Sequence, residues 1–442
     1  MCPLLEDTLE NLWEQLIADD HARALPSAGP RRVVPKWPPR QVAALSGMRH
    51  AGKTRLMHQL IRELVHEGAP RESLLYLNFE DERLWQVGPP DLGLIPRIFY
   101  RRYPELKKRE CAFFFDEVHR VPGWEGFVSQ FTDSTRARVC VSGASARLFR
   151  GELNSSLKGR LVVTELFPLS FVEYLDFHEV PLPEAGARAS RRQRSELEAR
   201  LLGYLQQGGF PEVQRLEQEE RGDVLQSQLD TSLLRDVVER HRVSNLPVLR
   251  SLLRKAIHEP AMFFSVHRFY SELRERGLRV SKGTIHDILE QLKDAFLVFP
   301  IPIHTASERV RHSNPRKLYP MDPGMVSACS NAAGTSLGRL LETFVFLHLR
   351  RHTSKISYYR HVDGTEVDFV ADMGDHEMLV QVSPDLTSQD TRQRLLGALG
   401  SAMERLVIDS AVLVTSTAEE VIELEHGRVE VVPAWRWAID LG

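Results

Sequence analysis

One segment constrains the fold of this 442-residue chain more than any other, because it requires a strand, a tight turn and a helix in that order. The segment, Gly47-Met48-Arg49-His50-Ala51-Gly52-Lys53-Thr54, matches the pattern G-x-x-x-x-G-K-[ST] at every defined position. An apolar run at Gln41–Ser46 precedes it, and a helical segment follows with Leu56, Leu60 and Leu64 on one face. This context predicts a parallel α/β sheet with a phosphate-binding loop at its edge.

The chemistry expected of this loop is nucleotide binding. Its backbone N–H groups and the N-terminus of the following helix are predicted to face the β-phosphate. The Lys53 ammonium adds a positive charge for the β- and γ-phosphate oxygens, and the Thr54 hydroxyl is predicted to reach Mg²⁺. The alternative, a chance match in an ordinary turn, fits the flanking segments less well. We therefore expect ATP and Mg²⁺ as cofactors, with Gly47 to Thr54 binding the nucleotide.

Two carboxylates are the next candidates for the same site. Cys111-Ala112-Phe113-Phe114-Phe115-Asp116-Glu117 is typical of a buried strand that ends in acidic residues. Asp116 is predicted to bind the nucleotide-associated Mg²⁺ together with Thr54, and Glu117 to orient the attacking water as a catalytic base. Alone, the segment fits a strand that ends in a solvated acidic turn better, but with the phosphate loop it indicates an ATP hydrolase.

Two polar positions further along the chain are weaker catalytic candidates. Ser142 ends an apolar strand-like run, and it is predicted to position water near the γ-phosphate if that strand lies between those of the loop and of Asp116. Ser145 is a less favoured candidate for this role. A capped turn without a catalytic role is an equally good interpretation of this segment. Arg160, in Lys158-Gly159-Arg160, is a candidate arginine finger for a neighbouring subunit, which predicts a ring-type oligomer. An ordinary surface arginine is the alternative.

The rest of the chain alternates between α/β and helical patterns. Further strand-like runs before residue 170 indicate a mostly parallel sheet with helices on both faces: Ser73–Phe79, Cys111–Phe115, Arg138–Ser142 and Leu161–Leu166. Residues 195–258 look helical. Ser265 and Ser281 are then predicted to cap two helices, and Phe296–Ile303 to form the wing of a winged helix. A helix at Leu337–Arg351 and five later strands indicate a second α/β domain.

The motifs and their order resemble a known family. They include Asp116-Glu117-Val118-His119, Ser142-Gly143-Ala144-Ser145, Phe167-Pro168-Leu169-Ser170-Phe171, Gly208-Gly209-Phe210-Pro211-Glu212 and Leu234-Arg235-Asp236-Val237. Together with the loop they resemble the prokaryotic AAA+ ATPases whose C-terminal half is a domain of unassigned function, over about residues 40 to 435. Members commonly carry Gln where His119 stands.

The resemblance implies a five-part organisation. An N-terminal helix and basic approach (1–40) precede an AAA+ ATPase core (41–180) and a helical lid (181–245). A winged helix-like module (246–310) and an α/β domain similar to restriction endonucleases (311–442) follow.

The last domain lacks the full set of residues expected of a PD-(D/E)xK nuclease. Such enzymes hold Mg²⁺ with carboxylates and stabilise developing charge with a lysine. Glu342 and Asp368 fit two of these positions, but Gln381 replaces the acid of the next strand and Ser383 replaces the lysine. Glu366 is a possible substitute ligand, and no neighbouring lysine in the sequence replaces the missing one. We expect a retained fold without nuclease activity.

Composition limits the remaining function classes. The net charge is -3, no apolar run is long enough to span a bilayer, and the four cysteines are widely spaced. We therefore expect a cytoplasmic protein with no membrane contact. Two target classes remain open: nucleic acid, favoured by analogy with the winged-helix and nuclease-like folds, and a protein held by an ATP-driven remodelling or signalling switch. Three basic clusters lie in loop-like segments, where charge runs are usually solvated surface: Arg31-Arg32 with Lys36 and Arg40, Arg188 to Arg194, and Arg309-Arg311-Arg316-Lys317.

Overall fold

The computed structural model describes residues 3–26, 31–149, 157, 159–184, 189–329 and 336–441. The chain divides into two compact units, Met1–Leu166 and Phe167–Gly442. Each unit is built around its own β-structure. The finer division into five domains stays a prediction.

The first unit is a five-stranded parallel sheet with helices around it. Its strands are β1 (Val42–Ser46), β2 (Leu74–Asn78), β3 (Ala112–Asp116), β4 (Arg138–Gly143) and β5 (Leu161–Glu165). Its helices are α1 (Pro3–Ala22), α2 (Lys53–His66), α3 (Leu94–Arg102) and α4 (Trp124–Ser134). The strand order is β2-β3-β4-β1-β5. All five predicted strands are present, so the predicted parallel sheet is confirmed.

Both faces of the central strands of this sheet are buried, whereas β5 at one side is partly exposed. In β1, Val42 and Ala44 belong to one apolar core, whereas Ala43 and Leu45 belong to a second. Because successive strand residues point to opposite faces, this division means that each face is covered. Double burial explains why the strands have continuous apolar runs without polar alternation.

The second unit begins with helices. They are α5 (Phe171–Phe177), α6 (Arg191–Gln207), α7 (Gln218–Ser232), continued by a π-helical turn at Leu233–Glu239, and α8 (Leu246–His258). A small antiparallel sheet follows, of order β6-β8-β7, with β6 (Phe263–Phe264), β7 (Val298–Ile301) and β8 (Arg316–Pro320). The same part of the chain also forms four helices: α9 (Val266–Glu275), α10 (Lys282–Asp294), α11 (Glu308–Ser313) and α12 (Pro323–Cys329). β8 lies beyond residue 310, the predicted end of the winged helix.

The predicted caps of α9 and α10 are confirmed. The Ser265 hydroxyl accepts a hydrogen bond from the Arg268 N–H, and that of Ser281 accepts one from the Thr284 N–H. Each bond satisfies a helix N–H group that has no partner within the helix.

A six-stranded mixed sheet completes the second unit, of order β13-β14-β12-β11-β10-β9. The strands are β9 (Ile356–Arg360), β10 (Glu366–Asp372), β11 (Glu377–Val382), β12 (Ser410–Thr415), β13 (Glu420–Leu424) and β14 (Gly427–Pro433). The helices are α13 (Leu337–His352), α14 (Gln389–Leu406) and α15 (Ala434–Leu441). Among the described residues, no helix has the length and apolarity needed to cross a membrane.

Candidate functional site

The phosphate loop connects β1 to α2 and is held in shape from several sides. Gly52 is the N-cap of α2 with φ +100°, a left-handed conformation that favours glycine. A Cβ on Gly47 would lie 2.2 Å from the carbonyl oxygen of Leu166, so only glycine fits there. The Lys53 ammonium donates to the carbonyl oxygens of Gly47 (3.0 Å) and Met48 (3.1 Å). The loop is therefore preorganised, with its lysine inside the curl of the backbone.

Asp116 lies at the carboxyl end of β3, beside the loop, and is the most heavily hydrogen-bonded carboxylate of the site. Its Oδ2 accepts from the Thr54 hydroxyl (2.6 Å) and from the Tyr76 hydroxyl (2.7 Å), and its Oδ1 accepts from the Ser142 hydroxyl. Burial, followed by the charge of Glu117, raises the pKa of Asp116. A carboxylate and a hydroxyl are hard oxygen ligands, so Thr54 and Asp116 fit Mg²⁺.

Glu117 follows Asp116 in a left-handed backbone conformation, with φ +52°, which turns its side chain back toward the loop. Its Oε1 lies 3.1 Å from the Lys53 ammonium and its Oε2 lies 3.2 Å from Nδ1 of His119. Burial by itself raises the pKa of Glu117, but the positive charges of Lys53, His119 and Arg49 outweigh it and lower the pKa to about 2. The carboxylate is therefore ionised at neutral pH, as a base must be.

The structure brings Ser142 into this site and leaves Arg160 out of it. β4 lies between β3 and β1, which is the arrangement that the Ser142 prediction required. Besides contacting Asp116, the Ser142 hydroxyl accepts a hydrogen bond from the Glu117 N–H (2.9 Å). Ser145 instead accepts from the N–H groups of Arg147 and Leu148, as a turn-capping serine does.

Arg160 directly precedes β5, at the amino end of the sheet, whereas the phosphate loop lies at the carboxyl end. Its guanidinium pairs with Asp133 of α4 at 2.6 Å and lies 3.4 Å from the Ser129 hydroxyl. Five residues of strand separate the two edges, roughly 16 Å. Arg160 therefore does not belong to the nucleotide site of its own chain. Lys158, beside it in the sequence, lies outside the described residues.

Three residues of the site were missed by the sequence reasoning. Tyr76 lies on β2, which pairs with β3, and its hydroxyl donates to Asp116, two residues further along the paired strand. Arg31, from the basic approach, is buried and donates to the Ala51 carbonyl oxygen (2.8 Å), which braces the loop. Glu80 pairs with Arg49 of the loop (2.6 Å) and with Arg120 (2.8 Å). Glu80 had a sequence signal, since it follows a predicted strand at the same end of the sheet, and Arg31 belongs to the basic cluster before the loop.

The second unit contains a separate buried ionic cluster that the sequence did not predict. Lys317, on β8, lies among the three candidate carboxylates. Its ammonium is 2.9 Å from Asp368 Oδ1, 2.9 Å from Glu366 Oε1 and 3.1 Å from Glu342 Oε1. The lysine side chain is 4% exposed. It was missed because β8 belongs to a different sheet from β10.

The surroundings of this cluster hold the carboxylates in place. Gln381 donates to Asp368 Oδ2 (2.6 Å), and the Tyr319 hydroxyl donates to Glu342 Oε1 (2.7 Å). Burial and the charge of Asp368 raise the pKa of Glu342 to about 7. Burial by itself lowers the pKa of Lys317, but the negative charges of its three partners outweigh this effect and raise it. A cleft of about 660 Å³ opens beside the carboxylates. Among the described residues, no group of three or more His, Cys, Asp or Glu side chains is arranged to hold a metal ion.

Comparisons with known proteins match an AAA domain mainly to the first unit, and match two families of unknown function to the second unit. Residues 39–175 match the family described as an AAA domain. Residues 198–336 and 337–437 match two families described as domains of unknown function, DUF8612 and DUF4143. The Aeropyrum pernix ORC1 protein, solved in complex with DNA, has 16% identity and a TM-score of 0.28, covering 73% of this chain and 91% of that chain. A TM-score this low carries no functional argument.

Two relatives match much more of the chain by sequence. An uncharacterized protein of Haemophilus influenzae is 26% identical over 343 residues, which cover 77% of this chain and 82% of the relative. Uncharacterized protein MJ1544 of Methanocaldococcus jannaschii is 30% identical over 440 residues, which cover 97% of this chain and 95% of the relative. With such identity across nearly the whole of both proteins, the chain belongs to the same family as the Methanocaldococcus protein, and its AAA domain has the strand order and phosphate loop of a P-loop AAA+ ATPase.

Proposed function

We propose that this protein binds ATP with Mg²⁺ and hydrolyses it, using Glu117 as the catalytic base. The observation that carries the proposal is the ionised, buried Glu117 beside Lys53 of the phosphate loop. Lys53 moves from Glu117 to the β- and γ-phosphate oxygens when ATP binds, which frees the carboxylate for water. Thr54 and Asp116 would hold Mg²⁺, which would neutralise charge on the phosphates. Ser142 positions Asp116 and the Glu117 backbone.

Two substitutions separate ATP binding from hydrolysis. Lys53→Ala is expected to weaken both, because it removes the charge that meets the phosphates. Glu117→Gln keeps the shape of the side chain but removes the base, so it should bind ATP normally and lose turnover by about 10²–10⁴-fold. Binding is measured with a fluorescent ATP analogue and turnover by phosphate release. Glu105→Gln, an exposed carboxylate of the same unit, is the control. Equal turnover by Glu117→Gln and the wild type would refute the assignment.

We further propose that residues 311–442 have a restriction-endonuclease-like fold without nuclease activity. The support is the ammonium of Lys317, which occupies the space between Asp368, Glu366 and Glu342 where a nuclease would hold its metal. Gln381 lacks a negative charge, and the Ser383 hydroxyl donates to the Asp385 carbonyl oxygen instead of facing the carboxylates. The Lys317 ammonium occupies the position between the carboxylates and offsets one of their negative charges, which weakens their attraction for Mg²⁺.

The expected result is an absence of DNA cleavage. Purified wild-type protein with Mg²⁺ or Mn²⁺ should cut linear, circular and branched DNA no faster than Asp368→Ala. The assay is gel electrophoresis of labelled substrates, with Lys53→Ala included to remove ATP-driven effects. Cleavage by the wild type that Asp368→Ala alone abolishes would show an active site and overturn this part of the proposal.

For the biological role, we propose a cytoplasmic, ring-forming switch that acts on nucleic acid, with residues 246–310 as a winged helix. ATP turnover stimulated by DNA, with an affinity that falls steeply as salt increases, is the expected behaviour. Turnover that no nucleic acid stimulates would favour a protein target.

A further inference from the structure

The first unit has a large cleft at the amino ends of its strands, whereas the phosphate loop lies at their carboxyl ends. Its volume is about 1,340 Å³. It is formed by the chain before β1, the residues that enter β3 and β4, and the end of α4. Since β3 and β4 run the full depth of the sheet, the cleft is roughly 16 Å from the nucleotide site. A ligand in the cleft would not compete with ATP.

The cleft is strongly basic in a chain whose net charge is -3. Six cationic side chains line it, against two carboxylates, Glu110 and Asp133. The six are Arg40, Lys107, Lys108, Arg109, Arg136 and Arg138. Both carboxylates already have a cation close by: Glu110 lies 3.7 Å from Arg138, and Asp133 pairs with Arg160.

The other five cations of the cleft form no ion pair with any described residue: Arg40, Lys107, Lys108, Arg109 and Arg136. All five side chains are on exposed residues. Like charges gathered in a concave surface create a positive potential that attracts polyanions. The surface therefore has an excess of positive charge that the protein itself does not neutralise.

Aromatic rings lie among these charges. Trp37 and Tyr100 both line the cleft and are half-buried. The Arg138 guanidinium lies 4.2 Å from the centre of the Trp37 ring. The Trp37 indole N–H is buried and has no hydrogen-bond partner among the described residues. Cations that follow a phosphate backbone, combined with rings on which bases stack, are the features of single-strand binding grooves.

The size of the cleft also favours a polymer. Pockets for small molecules usually have volumes of about 300–1,000 Å³, so this cleft exceeds what a single small ligand fills. We propose that the cleft binds the phosphodiester backbone of single-stranded nucleic acid, with Trp37 and Tyr100 contacting bases. The inference rests on the proposed action on nucleic acid and names the surface responsible.

The cleft also adjoins the candidate arginine finger. Asp133 lines the cleft and holds Arg160 at 2.6 Å. A nucleic-acid strand bound beside Asp133 changes the charge around the ion pair of Asp133 and Arg160. Occupancy of the cleft is therefore linked to the availability of Arg160. We therefore expect nucleic acid to stimulate ATP turnover through this edge of the sheet.

The test compares two double charge reversals of equal size. Lys108→Glu/Arg136→Glu changes the cleft, and Arg191→Glu/Arg192→Glu changes two exposed arginines in the first turn of α6. Acidic residues are tolerated at a helix N-terminus, so the control should fold. Binding of a fluorescein-labelled oligothymidine is followed by anisotropy between about 50 and 200 mM salt.

The cleft variant should bind at least tenfold more weakly than the wild type, with a shallower dependence on salt by about 0.7 for each lost phosphate contact. The control should match the wild type, and basal ATP turnover should be the same in all three proteins. Nucleic acid should stimulate turnover in the wild type and control but not in the cleft variant.

Three outcomes would contradict the inference, and each contradicts a different part of it. Unchanged binding by the cleft variant would refute this surface while leaving nucleic acid as the target. A wild type that hydrolyses ATP but binds no oligonucleotide would refute both the surface and the target, and leave the ATPase proposal intact. Tighter binding of a polyglutamate peptide than of oligothymidine would assign the cleft to an acidic protein and overturn the inference.

Discussion

Two buried lysines show how the same side chain serves different purposes. Lys53 contacts one carboxylate, Glu117, and two backbone carbonyl oxygens. A bound phosphate offers it more negative charge than these partners do, so it can exchange them. Lys317 contacts three carboxylates and is 4% exposed. Because three carboxylates hold its ammonium at once, we interpret Lys317 as a permanent counter-ion of the cluster.

This contrast predicts a large loss of stability on removing Lys317. Lys317→Met leaves Asp368, Glu366 and Glu342 close together without a cation, and breaking a buried ion pair costs about 3–5 kcal/mol. Lys355→Met is the matched control, because Lys355 also pairs with an aspartate, Asp372 at 2.8 Å, but is 74% exposed. Solvent screens exposed pairs of this kind, so they contribute little to stability. The free energy of unfolding is measured with urea, and equal losses in the two variants would contradict the interpretation.

At the scale of helices and strands, buried polar side chains connect elements by satisfying their backbone N–H groups. Asp322, which precedes α12, accepts hydrogen bonds from the N–H groups of Gly209 (2.7 Å) and Gly324 (2.8 Å). A Cβ on Gly208 would lie 1.9 Å from the Asp322 carboxylate. The Gly208-Gly209 motif therefore has a structural explanation: it lets the end of α6 approach the start of α12.

His348 connects α13 to α5 in the same way, which predicts a pH effect. Its Nε2 accepts from the Phe171 N–H at 3.3 Å, while its Nδ1 lies 2.9 Å from the Phe344 carbonyl oxygen. Burial, followed by the charge of Arg351, lowers the pKa of His348 to about 3. Below pH ~6.5 the unfolded chain therefore binds a proton that the folded chain does not, so stability is lost as the pH falls.

His348→Gln removes this proton uptake. The wild type should lose about 2 kcal/mol relative to the variant between pH ~6.5 and ~4.5, at up to ~1.36 kcal/mol per pH unit. Asp322 and Glu342 also have raised pKa values, which act in the opposite direction, but they are present in both proteins and cancel in the difference. Urea unfolding at the two pH values measures it. A constant gap would mean that His348 does not remain neutral in the folded protein.

At the scale of the whole molecule, Arg160 raises the question of assembly. It lies at the opposite edge of the sheet from the phosphate loop and pairs with Asp133. An arginine in this position can contribute to hydrolysis only in the site of another subunit. We therefore keep the proposal of a ring in which each subunit completes the site of its neighbour.

Mixing two inactive variants tests this. Arg160→Ala should bind ATP normally and lose turnover by about 10³-fold or more, the contribution of an arginine finger. Adding Lys53→Ala subunits should restore part of the turnover, because the intact loop of one subunit then receives the arginine of the other. Phosphate release and light scattering measure turnover and assembly. A wild-type protein that is fully active as a monomer would refute the proposal, and Asp133→Asn controls for loss of the observed ion pair.

What the sequence determined by itself was local. The phosphate loop, the strands that lead to Asp116 and Ser142, and the caps at Ser265 and Ser281 follow from apolar periodicity and from residues a few positions apart. The short edge strand β13 and the terminal helix α15 were not predicted.

The tertiary structure alone decided which distant residues meet. Tyr76 reaches Asp116 because β2 and β3 pair in parallel register, and Arg31 braces the loop from a segment with no regular pattern. Lys317 and Asp368 are 51 residues apart in sequence and come from different sheets. Periodicity indicates which face of an element is buried, but the partner on that face depends on how the elements pack, and that is set by the fold as a whole.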